Sequence, residues 1–204
     1  MTKSSLRDAK REATAHALAD AAFELALERG LDGFVVDDIV QRAGFSRRTF
    51  ANHFACKEEA VATAAVSFQG VQEADELLAG VDGNASPVDI LYRLMKMRLT
   101  AGILWKLREL VSLAKRSPTL EPYILSAFRR LHESAQETLS VYSQGRYPDG
   151  YAHLLAGAVY GAFLPLLDGS LNVLLPGQPA GEAPGAVAFD DYLDTMFGYL
   201  RSGF

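Results

Sequence analysis

Nowhere along these 204 residues do apolar and polar side chains alternate long enough to make a strand. The sequence instead offers helix-period segments cut by turn residues, which confines the chain to an all-α fold. The first helix spans about Ser4 to Arg29, with Ala15, Leu18, Ala22, Leu25 and Ala26 on one face at three- and four-residue steps. Gly30 ends it, because glycine readily takes the left-handed turn that closes a helix. A second helix runs from about Val36 to Ala43, and a third from Arg47 to Phe54 behind Ser46 as N-cap. Lys57 opens a fourth, with Glu58 and Glu59 favoured at its positive end. After the turn-rich stretch 79–86, further helices are expected over Pro87–Ala101, Gly102–Ser117, Thr119–Gln144, Gly150–Leu174 and Ala188–Arg201. Three prolines and three glycines make 176–187 a loop. The expectation is about nine helices: a three-helix N-terminal domain followed by a C-terminal bundle.

Composition bounds what such a chain does. Hydrophobic residues make up 49%, enough for a packed core, and the net charge of −5 argues against indiscriminate nucleic-acid binding. Cys56 stands alone, so no intrachain disulfide exists, which suits a reducing cytoplasm. Asp8, Glu12, Asp20 and Glu24 interrupt any early apolar run of the export type. Gly150–Leu167 lacks acids, Lys and Arg, but its three glycines, Pro165 and His153 fit a buried or dimer-forming helix better than a membrane span.

The segment Val36–Phe54, VDDIVQRAGFSRRTFANHF, carries the functional signal. Two short helices flank a tight turn at Ala43-Gly44-Phe45, which is the helix-turn-helix arrangement. Its second helix must project donors into the DNA major groove while its other face packs on the domain. Arg47, Arg48, Thr49, Asn52 and His53 supply donors; Phe50 and Phe54 supply the packed face. From Ile39 to Lys57 there are four basic residues and no acid, as phosphate contact requires.

The segment Gly30–Ala60 resembles the tetracycline-repressor (TetR) family of transcriptional regulators. The residues that carry the resemblance are Gly30, Val36, Asp38, Ile39, Ala43, Gly44, Ser46, Thr49, Phe54, Lys57 and Glu58, at the family's spacing. The resemblance implies a homodimer with a DNA-binding domain over 1–56 and a ligand-binding and dimerisation domain over 57–204. It implies a cytoplasmic regulator, by default a repressor, that releases double-stranded operator DNA when a small-molecule effector binds. Arg47, Arg48 and Thr49 then contact bases or nearby phosphates, and His53 and Lys57 hold the DNA backbone. Lys3, Arg7 and Lys10 are candidate arm contacts. Three positions depart from the family pattern: Val35 and Cys56 stand where capping residues are usual, and Ala51 where an aromatic is. A weak or missing cap costs about 1 kcal/mol.

In the bundle, the large residues Leu104, Trp105, Tyr123, Phe128, Leu131, Tyr160 and Phe163 either fill a core or line a pocket between helices. Between Arg93 and Arg116 lie seven basic residues and one acid, read either as a solvated face or as Arg98 or Arg108 turned inward to an anionic effector. Gly157 and Gly161, four apart beside Ala158 and Ala162, allow close helix approach. With Leu154, Met196 and Phe197 they make a candidate dimer interface, against core packing within one subunit as the alternative.

No G-x-S-x-G, phosphate-binding loop or H-E-x-x-H occurs. Ser112-Leu113-Ala114-Lys115 fits S-x-x-K but lacks that motif's companions. His16, His53, His132 and His153 lack metal-ligand spacing, so neither metal nor cofactor is expected, and no enzyme. The competing class is a helical small-molecule binder or enzyme without DNA binding.

Overall fold

The computed structural model describes residues 3–66, 85–143, 145–148, 150–179 and 184–203. Among these, nine α-helices follow in order: α1 (Lys3–Arg29), α2 (Val36–Ala43), α3 (Arg47–Ala51), α4 (Lys57–Val66), α5 (Pro87–Arg98), α6 (Ala101–Arg116), α7 (Glu121–Ser143), α8 (Tyr151–Leu167) and α9 (Phe189–Ser202). The fold is all-α, as the absence of alternation predicts. Residues 67–84, including most of the turn-rich stretch 79–86, lie outside the described residues.

The chain parts into two compact units. One comprises Met1–Ser67 with Glu109–Phe128, the other Phe68–Arg108 with Arg129–Phe204. In the first, α1 packs on α4 and α2, and α2 on α3. Leu18, Ala22, Phe23, Leu25 and Ala26 of α1 are buried, as are Ile39, Phe50, Phe54, Ala60 and Val61. The 3-10 turn Pro118–Leu120 packs against α4 and buries Leu120 completely. In the second unit, Ile90, Leu104, Leu139, Leu166, Leu193 and Phe197 are among the most deeply buried large side chains, and Tyr192 of α9 donates to the Ala162 carbonyl of α8 at 2.6 Å.

The sequence expects α8 to continue to Leu174, and it ends at Leu167 instead. The Asp168 carboxylate accepts from the Ser170 amide at 2.8 Å and the Ser170 hydroxyl at 2.6 Å, and Gly169 takes φ +81. This turn outcompetes helix extension, since a short carboxylate offers the next amides a local partner. Beyond it, Val173–Leu174 pairs in parallel with Val187–Ala188, a two-residue ladder too short for an alternation pattern to reveal. Among the described residues no helix is long and apolar enough to cross a membrane.

Candidate nucleic-acid interface

The turn between α2 and α3 follows from two residues. Gly44 takes φ +75 and closes α2, its amide donating to the Val40 carbonyl. The Phe45 amide reaches the same carbonyl at 2.9 Å. Ser46 then caps α3 by accepting from the Thr49 amide at 3.1 Å, and the two hydroxyls lie 2.9 Å apart. Helix α3 ends at Ala51, one turn before the expected Phe54. Phe54 stays buried all the same, its ring centroid 5.6 Å from that of Phe50. The two phenylalanines anchor the inner face, so the outer face presents Arg47, Arg48, Ala51 and Asn52, all exposed. Thr49 and His53 are half-buried, the His53 ring tilted against Phe54.

The departures from the usual caps have local substitutes. Val35 has no side-chain acceptor, but its amide donates to the Asp38 carboxylate at 2.8 Å. That is the reciprocal half of a capping box. At α4 the Cys56 sulfur accepts from the Glu59 amide at 3.5 Å, and the Glu59 carboxylate accepts from the Ala55 amide at 2.7 Å. Tyr123 of α7 bonds Cys56, which raises the phenol's pKa above the usual tyrosine range.

The four basic residues of the acid-free window have different partners in space. Arg42 forms a fork with Glu28, at 2.8 and 2.6 Å, and lies 3.7 Å from Glu24. Arg47 forms a fork with Asp37: Nε donates to Oδ1 and Nη2 to Oδ2. This arginine holds the Asp37 carboxyl below its usual range. Lys57 Nζ donates to the Leu31 and Phe34 carbonyls at 2.6 and 2.9 Å and sits 5.0 Å from the Phe34 ring centre. Its ammonium therefore braces the loop before α2. Arg48 is exposed, with no hydrogen-bond or ion-pair partner among the described residues. The acids that neutralise this window come from α1 and α2, outside the segment that linear spacing isolates. On α1, Arg7 and Lys10 are exposed, and the Lys3 side chain lies outside the described residues.

The bundle candidates divide between the units. Tyr123 and Phe128 belong to the first, and Leu104, Trp105, Arg108, Tyr160 and Phe163 to the second. Leu104, Phe128 and Phe163 are buried, Phe163 lying edge-on to Phe189. Trp105 is 50% exposed. Arg108 is half-buried and donates to Gln178 at 3.3 Å, and Gln178 in turn accepts from the Leu175 amide. Tyr160 lies 6.3 Å from the His132 ring, and burial raises its pKa.

Of the dimer candidates, Leu154 is 72% exposed and Gly161 is open, with Leu164 exposed further along the same face. A side chain at Gly157 would meet His132 at 3.7 Å, so this glycine faces α7 of the same chain. Met196 is buried, and Phe197 is fully buried with Tyr92 edge-on to its ring. Both side chains are therefore packed inside the chain itself and not on an outer face. Among the described residues no group of three His, Cys, Asp or Glu could hold a metal ion.

The family profile described as "Bacterial regulatory proteins, tetR family" matches residues 18–63, the stretch from mid-α1 into α4. No curated protein matches the sequence. A structure described as a TetR-family transcriptional regulator from Mesorhizobium loti MAFF303099 superposes with TM-score 0.54 at 19% identity, covering 99% of this chain and 98% of that one. A transcriptional regulator from Rhodococcus sp. Rha1 gives TM-score 0.53 at 22% identity, covering 93% and 96%. These two likenesses establish the fold over nearly the whole chain, and the profile names its N-terminal helices. Residues 18–63 thus carry the sequence pattern of the tetR family of bacterial regulatory proteins, on a chain whose fold is that of these two solved regulators.

Proposed function

We propose that the protein is a ligand-responsive transcriptional regulator, by default a repressor, that binds operator DNA as a homodimer. The observation that carries this reading is α3: Arg47 and Arg48 stand in solvent while Phe50 and Phe54 fix the helix from behind. A symmetric pair must hold the two α3 helices about 34 Å apart to meet successive major grooves. Arg47, Arg48, Thr49 and Asn52 face bases and adjacent phosphates, and His53 together with the start of α4 at Lys57 faces the DNA backbone. The exposed stripe of Leu154, Gly161 and Leu164 on α8, joined by α9, forms the dimer face. The effector occupies the C-terminal bundle near Arg108, Tyr160 and Phe163.

Coupling runs through α6 and α7. Their stretch Glu109–Phe128 belongs to the same compact unit as the helix-turn-helix, with Leu120 and Tyr123 set against α4 and Cys56. An effector that binds the DNA-incompetent state a hundredfold better shifts the equilibrium by about 2.7 kcal/mol. A regulator of this kind works in the cytoplasm and needs no catalytic group. The test is fluorescence anisotropy with duplexes tiled across the DNA upstream of the protein's own coding sequence. Saturable binding at two chains per duplex is expected. Equal, weak binding to every duplex would overturn the reading.

A further inference from the structure

We propose that Asp37 is a positioning residue for base recognition: it clamps the side edge of Arg47 so that the guanidinium's end-on edge is held out to a guanine. The inference deepens the reading of α3 as the DNA-recognition helix and rests on it.

A guanidinium carries five N–H donors in a fixed plane. Asp37 takes two of them, Nε–H and one Nη2–H, in a fork. The remaining Nη1–H and Nη2–H pair lies on the end-on edge. Two parallel donors on that edge match guanine O6 and N7 in the major groove. Without the carboxylate, Arg47 would be a long, freely rotating side chain on an exposed helix. Ordering it would then fall to the binding step.

Neither the helix dipole nor fold stability accounts for the fork. A carboxylate in the first turn of α2 suits the dipole, but Asp38 already fills that role, accepting from the Val35 amide and lying 3.5 Å from Arg29. The dipole also gives no reason for a fork to a residue ten positions on. As for stability, the pair is open to water, its side chains 57% and 69% exposed, and exposed pairs add little. The clamp also neutralises Arg47, so this residue contributes little to indiscriminate phosphate attraction. Arg48, without a carboxylate partner among the described residues, keeps its full charge for that purpose. The two neighbouring arginines thus divide the work: Arg47 selects and Arg48 grips.

The test uses the full chain and a duplex pool with a randomised core. The selected duplex and its single base-pair variants are then titrated with wild type, Asp37→Ala, Asp37→Asn, Arg47→Ala and the Asp37→Ala/Arg47→Ala double variant. Circular dichroism confirms equal helix content. Arg47→Ala should flatten the preference at one G·C pair per half-site. Asp37→Ala should flatten the same pair by about threefold, less than Arg47→Ala, because only the cost of ordering the side chain moves to the binding step. Asp37→Asn, which keeps one acceptor, should fall between. The slope of affinity against salt should not become shallower in Asp37→Ala, because no phosphate contact is lost. The double variant should be no flatter than Arg47→Ala alone. An unchanged base preference in Asp37→Ala would overturn the proposal; uniformly tighter binding with that preference intact would make Asp37 a mere phosphate repellent. If Arg47→Ala alone leaves every base preference intact, the reading of Arg47 fails first, a result visible without touching Asp37.

Discussion

At the scale of single residues, the interface is governed by which partner each polar group finds. The acid-free window 39–57 looks uniformly basic along the chain, yet Glu28 and Asp37 cover Arg42 and Arg47 in space. Linear spacing marked the donors of α3, but could not show which of them are held by carboxylates on neighbouring helices. Cys56 was legible as a departure from a serine cap, and its sulfur still accepts from the Glu59 amide. An oxygen at that position accepts more strongly at shorter range. Cys56→Ser should therefore raise stability by up to about 1 kcal/mol, the usual span of a cap. Cys56→Ala should lower it by a similar amount. The check is a shift of the urea midpoint with an unchanged slope. A Cys56→Ser protein less stable than wild type would show that the sulfur is not acting as a cap.

At the scale of elements, the sequence was most informative where one residue must do one job. Ser46 caps α3, and Gly44 closes α2 with positive φ, as their types dictate. It was least informative where a local turn competes with a helix of good composition. The Asp168-Gly169-Ser170 turn cuts α8 short inside a run that reads as helical. Asp89 shows how a cap is reinforced. It accepts from Ser86 at 2.7 Å and from Arg201 of α9 at 2.9 Å, and these two bonds, Ser86 foremost, lower its pKa. Glu28, Asp37 and Asp194 are lowered too, mainly by hydrogen bonds from Arg42, Arg47 and Tyr92. A carboxyl whose folded pKa is depressed stabilises the fold above its unfolded value of about 4. That contribution disappears as pH falls through the lower folded value. Melting temperature should therefore drop from about pH 4 downward, more steeply in wild type than in Asp89→Ala. Parallel acid limbs would contradict the assignment for Asp89.

At the scale of the whole molecule, helical layout and the helix-turn-helix segment were readable from spacing alone. The division of the bundle was not: no composition shift announces that Glu109–Phe128 joins the compact unit of the helix-turn-helix. Nor could periodicity tell that Phe197 is sealed inside its subunit while Leu154 stands in solvent, since both are apolar residues on apolar helices. Leu154→Glu should leave a lone subunit within about 0.5 kcal/mol of wild type, as surface changes do. In a symmetric pair it places like charges in an apolar face, so light scattering should find a dimer for wild type and a monomer for the variant. A Leu154→Glu dimer would place the interface elsewhere. The claim on which the rest depends is that α3 reaches DNA through Arg47 and Arg48, and its most direct measurement is binding of the selected duplex by Arg47→Ala/Arg48→Ala. A base-contacting arginine is worth about 1–3 kcal/mol, so affinity should fall at least tenfold while the melting curve stays in place. Unchanged affinity in a folded double variant would contradict it.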